Sequence, residues 1–185
     1  MSHPVLRDAK EKMDKSLVAL QRELGGIRTS RANPALLDIV DVEAYGTHMK
    51  INQLGVVSVP DPTLLTIDLW DKSLIPVVEK AILASPLGLT PSNDGKVIRI
   101  PMPKLTEERR KDLIKVAHKH AEEARVAVRN VRRHALEEIR RLQKEGELPE
   151  DDAHRLMEEI QKITDKHIET IDELVKKKEV DIMEV

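Results

Sequence analysis

The sequence predicts an α+β fold: an elongated antiparallel three-helix bundle, interrupted after its first helix by a small domain of several strands with one embedded helix. Three observations carry that prediction. Residues 105–142, LTEERRKDLIKVAHKHAEEARVAVRNVRRHALEEIRRL, contain no Gly or Pro and are rich in strong helix formers. Apolar residues recur there at Leu113, Ala117, Ala121, Ala124, Val128, Val131, Ala135, Ile139 and Leu142, steps that draw one stripe along a long helix. Residues 35–104 instead hold short β-branched runs between turn residues, the pattern of strands.

In chain order, Ser2 offers an N-cap and Pro4 a first-turn residue for a helix over 5–24. Its stripe is Leu6, Met13, Leu17, Leu20, Leu24 and Ile27. Gly25-Gly26 weakens the end, yet Ile27 keeps the period, and a helix continuing that far sets Arg28 and Arg31 one turn apart. Asn33-Pro34 stops it, because a residue before Pro avoids the helical region. Strands are then expected around Ile39, Val42, Val56, Val57, Val59, Ile67, Leu69, Val97, Ile98 and Ile100. Their separators are Tyr45-Gly46-Thr47, Pro60-Asp61-Pro62, Asp71-Lys72-Ser73 and Ser92-Asn93-Asp94-Gly95. Ser73 can cap one short helix through Val77, Val78, Ala81, Ile82 and Leu83, closed by Pro86 and Gly88.

Thr106 caps the long helix, Glu107 and Glu108 sit at its positive dipole end, and Gly146 lies past its last turn. Pro149 and three acids open a final helix with the stripe Ala153, Met157, Ile160, Thr164, Ile168, Ile171, Leu174 and Val175. The second bundle helix should be about 55–60 Å long. The expected division is 1–30 with 105–185 as the bundle and 31–104 as the inserted domain. Two neighbouring junctions, Arg31, Asn33 and Pro34 in one and Pro101, Pro103 and Leu105 in the other, suggest a hinge at 31–34 and 101–105.

Composition narrows the chemistry. The core must be aliphatic, because the 185 residues include no Phe, one Tyr and one Trp. That weighs against a mechanism built on base stacking. The absence of Cys excludes disulfides, thiol catalysis and Cys-rich zinc sites, and suits a reducing cytosol. The start has no signal-like apolar run and no segment reads as a membrane span, so a cytoplasmic chain with no membrane association is expected. The net charge of −2 conceals a segregation. Residues 105–146 carry twelve basic and eight acidic groups, whereas 147–185 carry six and thirteen, which suggests neighbouring helices of opposite charge.

On a wheel of 100° per residue, Lys111, Lys115, Arg125, Arg129, Arg132, Arg133 and Arg140 fall on one side of the long helix. Such a row is usually only a solvated face. Here the run from Arg125 to Arg133 contains no acidic residue, and its forked guanidinium groups match phosphate oxygens over about 12 Å. From the residues alone, two occupants stay open: RNA, or an acidic protein docked by a helical adaptor. Catalysis finds no support. Gly88–Lys96 is two residues too long for a phosphate loop and Val97 stands where Ser or Thr is required, so it reads as a turn. His118 and His120 fall on different helical faces, there is no HExxH, and no Ser sits in a nucleophile elbow. No catalytic residue, metal or cofactor is expected.

At these residues the chain resembles a known family. LTEERRKDL at 105–113 and ARVAVRNVRRHA at 124–135 are similar to the ribosome recycling factor family, as are IRTSRANPALLD at 27–38 and AILASPLGLTPSNDGKVIRIPMPKLTEERR at 81–110. The motifs occur in order over essentially the whole chain. The resemblance implies an L-shaped, tRNA-like molecule in which the three-helix bundle is hinged to an inserted small β/α/β sandwich domain. It implies binding to large-subunit ribosomal RNA and, with elongation factor G and its GTP, splitting of the post-termination ribosome into subunits for reuse. The implied RNA contacts are Arg129, Arg132 and Arg133, with Arg28, Arg31 and Arg110 from the other motifs. Ser30, Asn33 and Lys104 depart mildly from the family pattern, which bears on hinge stiffness. A monomer is expected, with the nucleotide chemistry left to the partner.

Overall fold

The computed structural model describes residues 2–184. Among these, the helices are α1 (Pro4–Gly25), α2 (Ile75–Ala84), α3 (Glu107–Lys144) and α4 (Glu150–Met183). The strands are β1 (Asp41–Ala44), β2 (Thr47–Lys50), β3 (Gly55–Asp61), β4 (Leu64–Leu69), β5 (Ser92–Asn93) and β6 (Ile98–Pro101). Contacts divide the chain into a helical unit, up to Leu24 with Lys115–Glu179, and a mixed unit, Gly25–Ile114 with the residues from Val180 on. The first turns of α3 and the end of α4 therefore group with the mixed unit.

In the helical unit the apolar stripes become the core. Ala117, Ala121, Val128 and Ile139 of α3 are fully buried, as are Met13 of α1 and Ile160 and Ile171 of α4. Cross-helix partners fix the directions. His118 meets Glu179, Arg125 meets Asp172 and Arg132 meets Gln161, so α3 and α4 run antiparallel. Glu23 meets His120, while Leu6 and Ala9 join Ala135 and Ile139 in one apolar cluster, so α1 also runs antiparallel to α3. The α3–α4 turn is closed by a Schellman pair. Glu147 N–H donates to the Leu142 carbonyl at 2.9 Å and Gly146 N–H to Gln143 at 3.1 Å, with Gly146 at φ 77°.

The mixed unit is built on alternation. Leu65, Ile67 and Leu69 of β4 and Ile98 and Ile100 of β6 point inward, and Ile75, Val78 and Ile82 of α2 meet them in one core. The larger sheet has the order β3-β4-β6-β5, all antiparallel, and β1 pairs with β2 in a separate hairpin. Tyr45 and Gly46, both at positive φ, form its two-residue turn, which matches the twist of the strands.

Five local expectations are corrected. The helix N-cap is His3, whose Nδ1 accepts from the Val5 N–H at 3.2 Å, in place of Ser2. Asp71, not Ser73, caps the turn leading into α2: its carboxylate accepts from Ser73 N–H at 3.0 Å and Ser73 hydroxyl at 2.6 Å. Ile39 lies in a 3-10 turn over Pro34–Ile39, where Asn33 accepts from the Ala35 N–H at 3.0 Å, and Val97 lies just outside β6. Finally, α1 ends at Gly25, so Arg28 and Arg31 stand on an extended connection. Two successive glycines outweigh one residue that keeps the apolar period.

Candidate nucleic-acid interface

The arginine row on α3 divides into two groups once α4 is beside it. Arg125 is mostly covered, with only 19% of its side chain exposed. Its Nε and Nη2 donate to Asp172 Oδ1 at 3.0 and 2.7 Å, and Nη1 lies 3.3 Å from Glu122. Burial works against the Arg125 charge, but the hydrogen bonds to Asp172 and then Glu122 outweigh it and hold its pKa above the ordinary value. Arg132, half-buried on the same flank, donates from Nε to Gln161 Oε1 at 2.9 Å, and Gln161 in turn donates to Asp165 at 2.8 Å. Both side chains thus lie against α4.

Arg129 and Arg133, one turn apart, face outward. Among the described residues Arg129 keeps a single long contact, 3.4 Å to Glu122. Arg133 is exposed and makes no ion pair among the described residues. The acidic neighbour that the short run lacked is therefore Glu122, one helical turn before Arg125. Arg129 and Arg133 present guanidinium groups on adjacent turns of the helix, a geometry suited to successive phosphates, and Arg132, held to Gln161 through Nε alone among the described residues, flanks them.

The other three arginines of the expected set lie in the mixed unit. Arg31 is exposed, with Nη1 3.6 Å from Glu184. Arg110 is half-buried, and its Nε is closed to solvent with no hydrogen-bond partner among the described residues. Arg28 is also half-buried, and its Nη2 donates to the Pro103 carbonyl at 2.9 Å.

Two polar clusters escaped the sequence reading. His167, buried on α4, has Nδ1 2.7 Å from the Ile163 carbonyl and Nε2 2.7 Å from Asp14 Oδ1 on α1. Hydrogen bonds from His167 and then Lys10 hold the Asp14 pKa below the ordinary carboxylate value. Elsewhere Glu23, His120 and Glu123 gather their ligand atoms within 4.8 Å, with His120 Nδ1 2.9 Å from Glu23. His118 turns to Glu179 on α4. A lone His inside a helical stripe gives the only signal for His167; its partner is distant in sequence. No helix is long and apolar enough to cross a membrane among the described residues.

The architecture is that of an α+β factor whose three long helices carry one basic face and a mixed insert between the first two. The sequence model of the family described as "Ribosome recycling factor" matches residues 20–183. The ribosome-recycling factor of Halalkalibacterium halodurans is 56% identical over 185 residues, covering 100% of both chains, and that of Bacillus subtilis is 52% identical over the same span and coverage. A solution structure of the ribosome recycling factor superposes with a TM-score of 0.79 at 45% identity, covering 98% of this chain and 96% of that one. A second structure, at TM-score 0.70 and 48% identity with 97% of each chain covered, represents the T. thermophilus ribosome recycling factor and E. coli elongation factor G bound to the E. coli post-termination complex. The chain belongs to the ribosome recycling factor family, a family of translation factors.

Proposed function

We propose that this chain binds the post-termination ribosome and, with elongation factor G and the GTP which that partner carries, promotes its dissociation into subunits for reuse. The observation that carries the reading is the outward pair Arg129 and Arg133, extended by Arg132, on a chain related over its full length to ribosome recycling factors. These three arginines are the primary contacts to large-subunit RNA, and Arg31 and Arg110 add secondary ones. The factor works as a cytoplasmic monomer without a covalent step of its own. It supplies charge, shape and a joint at 31–34 and 101–105, between a bundle of residues 1–30 and 105–185 and an inserted domain of residues 31–104.

The test is binding to isolated large subunits, followed by splitting of post-termination ribosomes with elongation factor G and GTP. Three neutralised phosphates give a log–log salt slope of about −2 to −3. The double variant Arg129→Ala/Arg133→Ala should lose most binding and most splitting while melting like the parent. A flat salt response would remove the electrostatic account, and equal binding to ribonuclease-treated particles would transfer the arginine face to an acidic protein partner.

A further inference from the structure

The two connections between the bundle helices and the sheets run past one β-turn. Ala32 N–H donates to the Pro62 carbonyl and Met102 N–H to the Thr63 carbonyl, each at 2.7 Å. Asp61 stiffens that turn, since its Oδ1 accepts from both the N–H and the hydroxyl of Thr63 at 3.1 Å. Successive carbonyls of one turn therefore hold one connection each. Upstream of Ala32, Arg28 adds a second tie through its 2.9 Å hydrogen bond to Pro103. Pro101 and Pro103 have no N–H, so in this stretch the Met102 N–H and the Pro103 carbonyl carry the two ties.

The surroundings of Arg28 do not suit a phosphate contact. Its Nε is closed to solvent and has no hydrogen-bond partner among the described residues. Nη1 lies against Gly88, in a loop anchored by buried Leu87 and Leu89. Nη2 is committed to Pro103. Burial first, and then the charge of Arg109, lower its pKa below the ordinary value. A desolvated guanidinium beside a like charge is held here by a carbonyl across the joint.

We propose that Arg28 is a positioning residue. With the Pro62–Thr63 carbonyl pair it clasps the two connections side by side, and it serves ribosome splitting by limiting the range over which that joint moves, not through RNA. The role in splitting rests on the function proposed above. The chain has no Cys, so His48→Cys and Glu158→Cys, both at exposed positions, accept spin labels in the full-length protein. Pulsed electron resonance then reads the distance distribution in the parent, R28A and R28K. Lysine keeps the charge but loses the planar fork. Both variants should broaden the distribution about twofold and slow splitting about tenfold, with subunit affinity and salt slope within about twofold of the parent. Should R28A fail to fold, R28Q retains the packed stem and takes its place.

An unchanged distribution in the folded variants overturns the clasp. Broadening without slower splitting overturns its role in the reaction. Weaker binding with a salt slope shallower by about one, rescued by R28K, makes Arg28 a phosphate contact and also overturns the proposal. The distances are read on the free protein, so a parent chain unable to split ribosomes would count against the functional reading alone.

Discussion

Arg125 and Arg133 stand about two turns apart on one helix, and the fold gives them opposite surroundings. Arg125 ties α3 to α4 through Asp172, whereas Arg133 faces solvent. Arg125→Ala should therefore lower stability by about 0.5–1.5 kcal/mol, discounted because Asp172 is over half exposed, and leave subunit binding nearly intact. Arg133→Ala should do the reverse, with a stability change within about 0.5 kcal/mol and a binding loss of about 1.5–3 kcal/mol. Arg132→Ala should impair binding more than stability, whereas Val131→Ala, which lies against the core, should act on stability. Thermal melts beside subunit binding separate the four. A second residue-scale expectation concerns acid. The folded Asp14 pKa is depressed, chiefly by His167, so its stabilisation is present above the ordinary value of 3.8 and is lost as pH falls through the folded value. Asp14→Asn should melt lower than the parent at pH 7 and show a flatter fall in melting temperature below pH 4. An identical acid limb in both would remove Asp14 from the account.

At the scale of elements, the ends of helices decide more than their middles. The middle of α3 follows from propensity and period, and its expected stripe is buried or half-buried along its length. Its end depends on Gly146 at φ 77°, where an L side chain pays a steric cost. Gly146→Ala should reduce stability by about 1–2 kcal/mol, seen as a lower urea midpoint with an unchanged slope. Ile139→Ala, in a fully buried position, should cost more, about 2–5 kcal/mol. If the two are equal, the turn contributes as much as the core. The start of α3 was legible because Thr106 Oγ1 accepts from the Arg109 N–H at 3.1 Å, a local contact. The start of α1 was not, because an imidazole displaced the expected serine.

For the whole molecule, the question is whether the joint must move. Cysteines introduced on facing surfaces of the two domains, with no native Cys to interfere, would lock one orientation. Arg129, Arg132 and Arg133 all lie in the helical unit, so the locked protein should keep most of its subunit binding. Splitting with elongation factor G should collapse, and reduction of the cross-link should restore it. A verified, fully cross-linked sample that splits ribosomes at the parent rate would show that interdomain motion is unnecessary.

The sequence by itself determined the helices, the apolar stripes, most of the β-branched strands, the turn at Tyr45-Gly46 and the positions of the arginines. Each follows from period or turn chemistry within a few residues, where the chain carries its own instructions. The family motifs were legible for the same reason, as short ordered strings. What each arginine meets was decided only by the tertiary structure. Arg125 meets Asp172 across 47 residues, Arg28 meets Pro103 across 75, and Asp14 meets His167 across 153. A helical wheel places a guanidinium on an arc, but whether it stays free for phosphate depends on which carboxylate or carbonyl another segment delivers. Burial and pairing set a charge's energy, and both are properties of the assembled neighbours.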